Sequence, residues 1–174
     1  MQLEKGGRNV MKYHTTLLED WIEDLYLALD IKTPNDLGIY NLASKLDIWV
    51  YYVDSEGQGF ERFGMMTIFI DRRKNKSEQW IEFLHELCHL LRHSGNQSAL
   101  PVDFVRLQES DADNFARYAS MPYSMIRNLE LGHSSREAAN VLSELFGVPH
   151  KLAYERLDQI NNRYLSSVPI LRYQ

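Results

Sequence analysis

Two histidines and a glutamate near the middle of the chain have the types and spacing of a metal-dependent hydrolytic site. Residues 85–89 read His-Glu-Leu-Cys-His, an H-E-x-x-H pattern. Residues four apart on an α-helix lie on one side of it, about 6 Å from each other, so the rings of His85 and His89 can reach one ion. Glu86 lies on a neighbouring edge, where its carboxylate can take a proton from water. Since the pattern arises by chance in roughly one chain in a hundred of this composition, its context must support it.

The segment that carries the motif has the periodicity of an amphipathic helix. Ser77 predicts the start of this helix, and Gly95 predicts its end. Apolar residues recur at the spacing of one helix face, at Trp80, Phe83, Leu84, Leu87, Cys88 and Leu91. The opposite face carries polar side chains, those of Glu82, His85, Glu86, His89 and His93. A histidine within an apolar stripe is usually a core residue, so this placement away from the stripe favours a metal site.

A catalytic zinc ion usually has three protein ligands, so a third must come from elsewhere in the chain. The metzincin extension of the motif is excluded, because Arg92 and Gly95 stand where its glycine and histidine would be. His93 follows one turn after His89, and three ligands on one straight helix would be spread over about 12 Å, too far for one ion. His93 is interpreted as an outer partner of a ligand or, with more weight, as a surface residue.

Two carboxylates about twenty residues further along are better candidates. A second apolar stripe predicts the helix that carries them, and its residues are Phe104, Leu107, Ala112, Phe115, Tyr118 and Ala119. Glu109 and Asp113 stand four apart on the flank of this stripe. One carboxylate could bind the metal while the second accepts a hydrogen bond from a ligand imidazole and fixes its tautomer. Asp111 lies nearer the apolar side and fits less well.

These two segments resemble the ImmA/IrrE family of bacterial and phage metallopeptidases, which have a gluzincin-like core. Members typically show H-E-[LI]-x-H-x-x-x-H, then E-x-x-A-[ND]-x-F-A, and then Met-Pro. This chain matches these patterns at residues 85–93, 109–116 and 121–122. The resemblance extends from about Asn41 to Leu157, and the pair of motifs is far more specific than H-E-x-x-H alone.

The resemblance implies a role for each matched position. Three residues match the zinc ligands of the family, with manganese as the alternative metal: His85, His89 and Glu109. Glu86 matches the catalytic acid/base, and Asp113 matches a position that is usually Asn or Asp and would orient a ligand histidine. Cys88 departs from the pattern, because glycine is common there. We expect it to be a small buried thiol.

The implied activity is that of a zinc-dependent endopeptidase that cleaves a helix-turn-helix repressor and so relieves repression of a phage, mobile element or stress regulon. Tyr118, Tyr123 and His93 are candidates for stabilising the oxyanion, and the sequence does not choose among them. One alternative is a regulator that binds its repressor without cutting it. Another is a structural metal site. Glu86 favours catalysis, since a structural site has no use for it and more often has four closed ligands.

Composition narrows the class of protein. The 174 residues, 44% hydrophobic and 25% charged, suit one globular domain with a substantial core. A net charge of -5 gives no support for direct nucleic-acid binding. The single cysteine excludes an internal disulfide framework and is typical of a reducing cytoplasm. Because no membrane span or signal peptide is recognisable, we expect a cytoplasmic protein with no membrane partner.

The expected fold class is α+β, mostly helical, with a small antiparallel sheet packed on the motif helix. Its three predicted strands are residues 48–53, 59–63 and 65–70. Residues 1–10 are expected to be a loose extension, 11–132 the metallopeptidase core, and 133–174 a C-terminal helical subregion packed on that core. Residues 95–101 predict a loop beside the metal that could act as a lid.

The C-terminal subregion resembles a helix-turn-helix, in which two helices flank Gly147 and Pro149. Its basic residues are balanced by acidic ones, so the basic face that reads DNA is missing. This balance favours a helical support or a unit that docks a partner protein.

Overall fold

The computed structural model describes residues 13–93, 101–132 and 134–166. These residues form seven α-helices, three strands and a short 3₁₀ turn at Pro34–Asp36. The helices are α1 Leu17–Ala28, α2 Ile39–Lys45, α3 Lys76–Arg92, α4 Val102–Ser120, α5 Tyr123–Ile126, α6 Ser135–Phe146 and α7 His150–Ser166. The strands are β1 Ile48–Val53, β2 Gln58–Arg62 and β3 Met65–Asp71. The predicted α+β, mostly helical class is confirmed.

The sheet is mixed, with strand order β1-β3-β2. The central strand β3 pairs in parallel with β1, where Val50 lies opposite Ile68, and antiparallel with β2, where Gly59 lies opposite the same Ile68. The prediction of an antiparallel sheet is therefore wrong for β1. From β1 the chain passes to β2 at the opposite edge of the sheet and then returns along the central strand β3. Contacts between β2 and α3 stabilise β2 at that edge.

The motif helix α3 begins with a capping box. The Asn75 side chain accepts a hydrogen bond from the Glu78 backbone at 3.0 Å, and the Glu78 carboxylate accepts one from the Asn75 backbone at 3.0 Å. The helix therefore starts slightly earlier than Ser77, the predicted start. It ends at Arg92, because the backbone of His93 is extended, with φ -109° and ψ 106°. Gly95, the predicted end, lies outside the described residues.

The core lies between α3, the sheet and α4. The largest fully buried apolar side chains are Ile22, Tyr26, Leu42, Ile68, Ile70, Phe83, Leu84, Leu87, Phe115, Met121 and Leu142. Phe104 and Leu107 were predicted to join this core, but they are 51% and 67% exposed. Both residues lie in the first two turns of α4, before Glu109 and Asp111, through which α4 contacts the C-terminal half of α3.

A buried ion pair joins the two ends of the described chain. Arg156 on α7 donates a hydrogen bond to Glu19 on α1 at 2.8 Å, and the Tyr13 hydroxyl donates to the same carboxylate oxygen at 2.6 Å. Arg163 pairs with the other oxygen. The side chains of Arg156 and Glu19 are only 0% and 3% exposed. Burial alone would raise the pKa of Glu19, but the Tyr13 hydrogen bond and the Arg156 charge outweigh it and lower the pKa to about 2.

The C-terminal helices α6 and α7 pack on each other, and α7 also packs on α4. Gly147 ends α6 in the left-handed conformation, with φ 63°, which glycine adopts without strain. The buried ion pair crosses the predicted boundary at residue 132, while the domain division and the helix-turn-helix likeness stay predictions. Residues 1–10, the predicted extension, lie outside the described residues. Within the described ranges, no helix has both the length and the apolar character needed to cross a bilayer.

Candidate metal centre

Packing of α3 against α4 brings three predicted ligand residues together. The Nε2 atoms of His85 and His89 are 3.1 Å apart. From α4, Glu109 places Oε2 3.2 Å from His85 Nε2 and Oε1 3.5 Å from His89 Nε2. These three side chains form one cluster of potential metal ligands, called the triad below.

The spacing of the triad fits a tetrahedral ion. Bonds of about 2.1 Å directed to the corners of a tetrahedron place neighbouring donor atoms about 3.4 Å apart. The measured separations of 3.1, 3.2 and 3.5 Å scatter around that value. Two imidazoles and one carboxylate are also a ligand set that zinc uses in catalytic sites, where a fourth position stays open. The residues present therefore fit a zinc ion.

The surroundings of His89 favour the form of imidazole that binds metal. Burial lowers the pKa of His89, and the nearby His85 lowers it further. A ring that stays neutral keeps a lone pair available on Nε2, which a metal ion requires.

Glu86 is held by strand β2. The Gly59 backbone N–H donates a hydrogen bond to Glu86 Oε2 at 2.8 Å. Burial raises the pKa of Glu86, and this hydrogen bond offsets only part of the effect. A carboxylate with a raised pKa is better matched to proton transfer near neutral pH. Its position beside the triad is therefore suited to a general base.

A second glutamate on α3 repeats this contact one turn earlier. Glu82 is buried and accepts hydrogen bonds from the Gly57 and Asp71 backbones at 3.0 and 2.8 Å and from Lys74 Nζ at 2.7 Å. Two residues along an extended segment span about 6.8 Å, and four residues along a helix span about 6 Å. Because these distances are similar, the N–H groups of Gly57 and Gly59 can contact the carboxylates of Glu82 and Glu86, respectively. Sequence reasoning treated Glu82 only as a polar residue on the motif face.

Gly59 permits the close approach of β2 to α3. A Cβ atom at this position would lie 3.0 Å from the Glu86 carbonyl oxygen and 3.2 Å from Leu90 Cγ. Both distances are shorter than ordinary van der Waals contact. Gly57 just before β2 and Gly59 within it, two residues apart, face two glutamates that are one helical turn apart, and this spacing is the signal that could have indicated the packing.

Asp113 lies on the outer side of His85. Its Oδ1 is 3.1 Å from His85 Nδ1, the ring nitrogen that faces away from the triad. The sequence left open which of Glu109 and Asp113 could contact the metal. In the structure Glu109 faces the Nε2 atoms and Asp113 faces Nδ1, although the Asp113 side chain is 71% exposed.

His93 lies on the outer side of His89. Its side chain is only 11% exposed, so the preferred interpretation as a surface residue is wrong. Its Nδ1 is 2.9 Å from His89 Nδ1, and its Nε2 is 3.2 Å from Asp111 Oδ2. Asp111, judged a poorer fit from the sequence, also accepts a hydrogen bond from Arg92 Nε at 3.0 Å. Cys88 is fully buried, as expected, and burial together with the Asp111 charge raises the pKa of its thiol to about 12.

The two tyrosines considered for oxyanion stabilisation have other partners. The Tyr118 hydroxyl contacts Gln159 and Arg163, and the Tyr123 hydroxyl contacts Tyr164. All of these partners belong to α7, so both hydroxyls serve the packing of that helix. Of the predicted lid loop, residues 95–100 lie outside the described part of the chain.

Comparison with known proteins shows what this chain is similar to. Residues 43–158 match the model of the IrrE N-terminal-like domain of the M78 peptidases. The chain is 34% identical over 146 residues to the phage-like element PBSX protein XkdA of Bacillus subtilis strain 168, covering 84% of this chain and 74% of that protein. It is 32% identical over 147 residues to the uncharacterized protein YqaB of the same strain, covering 84% and 86%. The matched family region contains the triad and Glu86, and the chain belongs to the IrrE N-terminal-like family of M78 peptidases.

Proposed function

We propose that this protein is a zinc-dependent endopeptidase in which His85, His89 and Glu109 hold the metal. The convergence of their donor atoms at 3.1 to 3.5 Å is the observation that carries the proposal. Membership of a peptidase family supports it. A zinc ion with three protein ligands supplies Lewis acidity, which lowers the pKa of a water to near 7 and polarises a peptide carbonyl.

Glu86 is the proposed general base and acid. Its carboxylate takes the proton from the attacking water and returns it to the leaving amine, a role that matches its raised pKa and its place beside the triad. The Gly59 N–H fixes one carboxylate oxygen, so the other is the one available for the proton. Asp113 accepts a hydrogen bond from Nδ1 of His85, which leaves the Nε2 lone pair of His85 directed toward His89 and Glu109.

The proposed substrate is a helix-turn-helix transcriptional repressor, and cleavage would relieve repression of a phage, mobile element or stress regulon. Similarity to a protein of a phage-like element supports this setting. We place the reaction in the cytoplasm, where such a repressor binds its operator. The chain itself needs no contact with DNA, which is consistent with its net charge of -5.

The test compares the wild-type chain, Glu86→Gln and Glu61→Gln on a repressor encoded beside the gene for this protein. Fragment masses are read after incubation with zinc, and bound zinc is measured on each protein. We expect specific fragments from the wild type and from Glu61→Gln, because Glu61 is exposed on β2. Glu86→Gln should bind zinc but cleave about 10²- to 10⁴-fold more slowly, the usual contribution of a general base.

Two other results would reject parts of the proposal. Cleavage by Glu86→Gln at the wild-type rate would remove Glu86 from the mechanism. A zinc-loaded wild type that binds the repressor and leaves it intact would favour the alternative, a regulator that inactivates its partner without cutting it.

A further inference from the structure

A polar cluster lies behind His89, on the side away from the triad. It consists of Cys88, Arg92 and His93 from the end of α3 and Asp111 from α4. His93 is the residue at which α3 stops, and its extended backbone lets its ring lie beside that of His89, with ring centroids 4.9 Å apart. The proposed mechanism makes no use of this cluster.

The hydrogen-bond distances in the cluster permit one proton arrangement once His89 binds a metal. A metal on Nε2 leaves the ring proton of His89 on Nδ1. Nδ1 is 2.9 Å from His93 Nδ1, which must then be the acceptor. The proton of His93 is consequently on Nε2, 3.2 Å from Asp111 Oδ2, an acceptor. Each donor therefore faces an acceptor along the whole chain of contacts.

We propose that His93 and Asp111 form a positioning pair that fixes the tautomer and orientation of His89 for metal binding. The inference rests on the proposed zinc site. It gives His89 an outer carboxylate that acts through a second imidazole, whereas His85 contacts Asp113 directly. His93 and Asp111 touch neither substrate nor metal in this assignment.

The anchoring of Asp111 supports a positioning role. Arg92 Nε donates to Asp111 Oδ2 at 3.0 Å, and the Arg92 guanidinium lies over the Trp21 ring, 5.2 Å from its centroid. The carboxylate that directs His93 is thus fixed from α1 as well as from α3. An outer carboxylate that is held in place can fix a ring more firmly than a mobile one.

The alternative to a positioning pair is a second metal site in this cluster, since potential ligand atoms lie close together on Cys88, His93 and Asp111. The arrangement opposes it. The oxygen nearest His93 already accepts a hydrogen bond from a guanidinium, which repels a cation.

The test measures zinc affinity by competition with a chromophoric chelator on full-length variants. His93→Leu and Asp111→Asn should each weaken binding by about 10- to 100-fold, as loss of an outer partner does at other metal sites. His93→Asn keeps an acceptor close to the Nδ1 position, so it should recover most of the affinity lost in His93→Leu. Controls are His14→Leu, an exposed histidine, and Asp103→Asn, a carboxylate on α4 that is 93% exposed.

Two further readouts separate positioning from a general structural role. The visible spectrum of the cobalt-substituted protein should change in His93→Leu and return toward the wild-type spectrum in His93→Asn. Thermal midpoints of the metal-free proteins should not follow the order of zinc affinities. Should His93→Leu not fold, Asp111→Asn, which keeps the size of the side chain, carries the test.

The outcomes distinguish this inference from the proposed function. If the wild type binds zinc and both His93→Leu and Asp111→Asn bind it with unchanged affinity, the positioning pair is overturned but the zinc site is not. Two zinc ions per wild-type chain, falling to one in Asp111→Asn, would overturn it in favour of a second metal site. A wild type that binds no zinc would overturn both proposals.

Discussion

Replacing Glu19 by glutamine should destabilise the folded protein by about 3 kcal/mol at neutral pH. The pKa of Glu19 falls from 4.5 to about 2 on folding, which corresponds to about 3 kcal/mol of stabilisation at neutral pH. The variant keeps the size of the side chain but leaves Arg156, which is 0% exposed, without its buried counter-charge. Loss of one partner of a buried ion pair typically costs about 3 to 5 kcal/mol, a range consistent with this figure.

The loss should also depend on pH with a definite sign. The folded-state pKa lies below the unfolded one, so the stabilisation is complete above the unfolded value of 4.5 and disappears as the pH falls toward about 2. The same two values leave about 2 kcal/mol of it at pH 3.5. The difference in unfolding free energy between wild type and variant should therefore shrink by roughly 1 kcal/mol between pH 7 and 3.5.

Urea unfolding at both pH values measures this difference. A chelator is present throughout, so that metal release at low pH does not contribute. Glu144→Gln, an exposed glutamate on α6, is the matched control and should change stability by less than about 0.5 kcal/mol. A loss below about 1 kcal/mol at pH 7 in Glu19→Gln, or an equal loss at both pH values, would refute the reasoning.

Three further predictions concern the candidate metal centre. Gly59→Ala should destabilise the protein by about 1 to 3 kcal/mol in urea unfolding, because the new Cβ crowds the Glu86 carbonyl at 3.0 Å. Its peptidase rate should fall as well, since β2 holds Glu86; full activity would argue against that contact. Asp113→Asn should weaken zinc binding by less than about 10-fold in a chelator competition, because the side chain is 71% exposed and water can replace it. Zinc at about 100 times its Kd should stabilise the wild type by about 2.7 kcal/mol, and raise its thermal midpoint, but should not shift Glu109→Ala.

Local patterns in the sequence predicted the parts of the site that one element defines. The apolar periodicity of residues 80–91 places Phe83, Leu84 and Leu87 in the core, and they are fully buried. The same projection puts His85 and His89 together on the other face. The family resemblance then pointed to Glu109, whose carboxylate the structure places beside both rings.

Local sequence patterns could not predict the contacts between segments that are distant in the chain. Strand propensity marks β1, β2 and β3 but does not state which strands pair. At the sheet edge, the backbones of Gly57, just before β2, and Gly59 contact Glu82 and Glu86. The periodicity of α4 also does not show which part of its apolar stripe is covered, and Phe104 in the first turn is 51% exposed. The contact of His93 with Asp111, on which the proposed positioning pair rests, likewise depends on the change of backbone direction at the end of α3.

The buried ion pair extends beyond the region of the chain that the family model matches. The family model matches residues 43–158, a region that includes Arg156 but not Glu19. A fragment cut to these limits would lose α1, and with it the buried Ile22 side chain and the hydrogen bond from Tyr26 to the Ala119 carbonyl at 2.7 Å. Arg156 would also lose its carboxylate partner, Glu19. The region matched by the family model is thus shorter than the folded unit, and we expect expression of residues 43–158 alone to give an insoluble product.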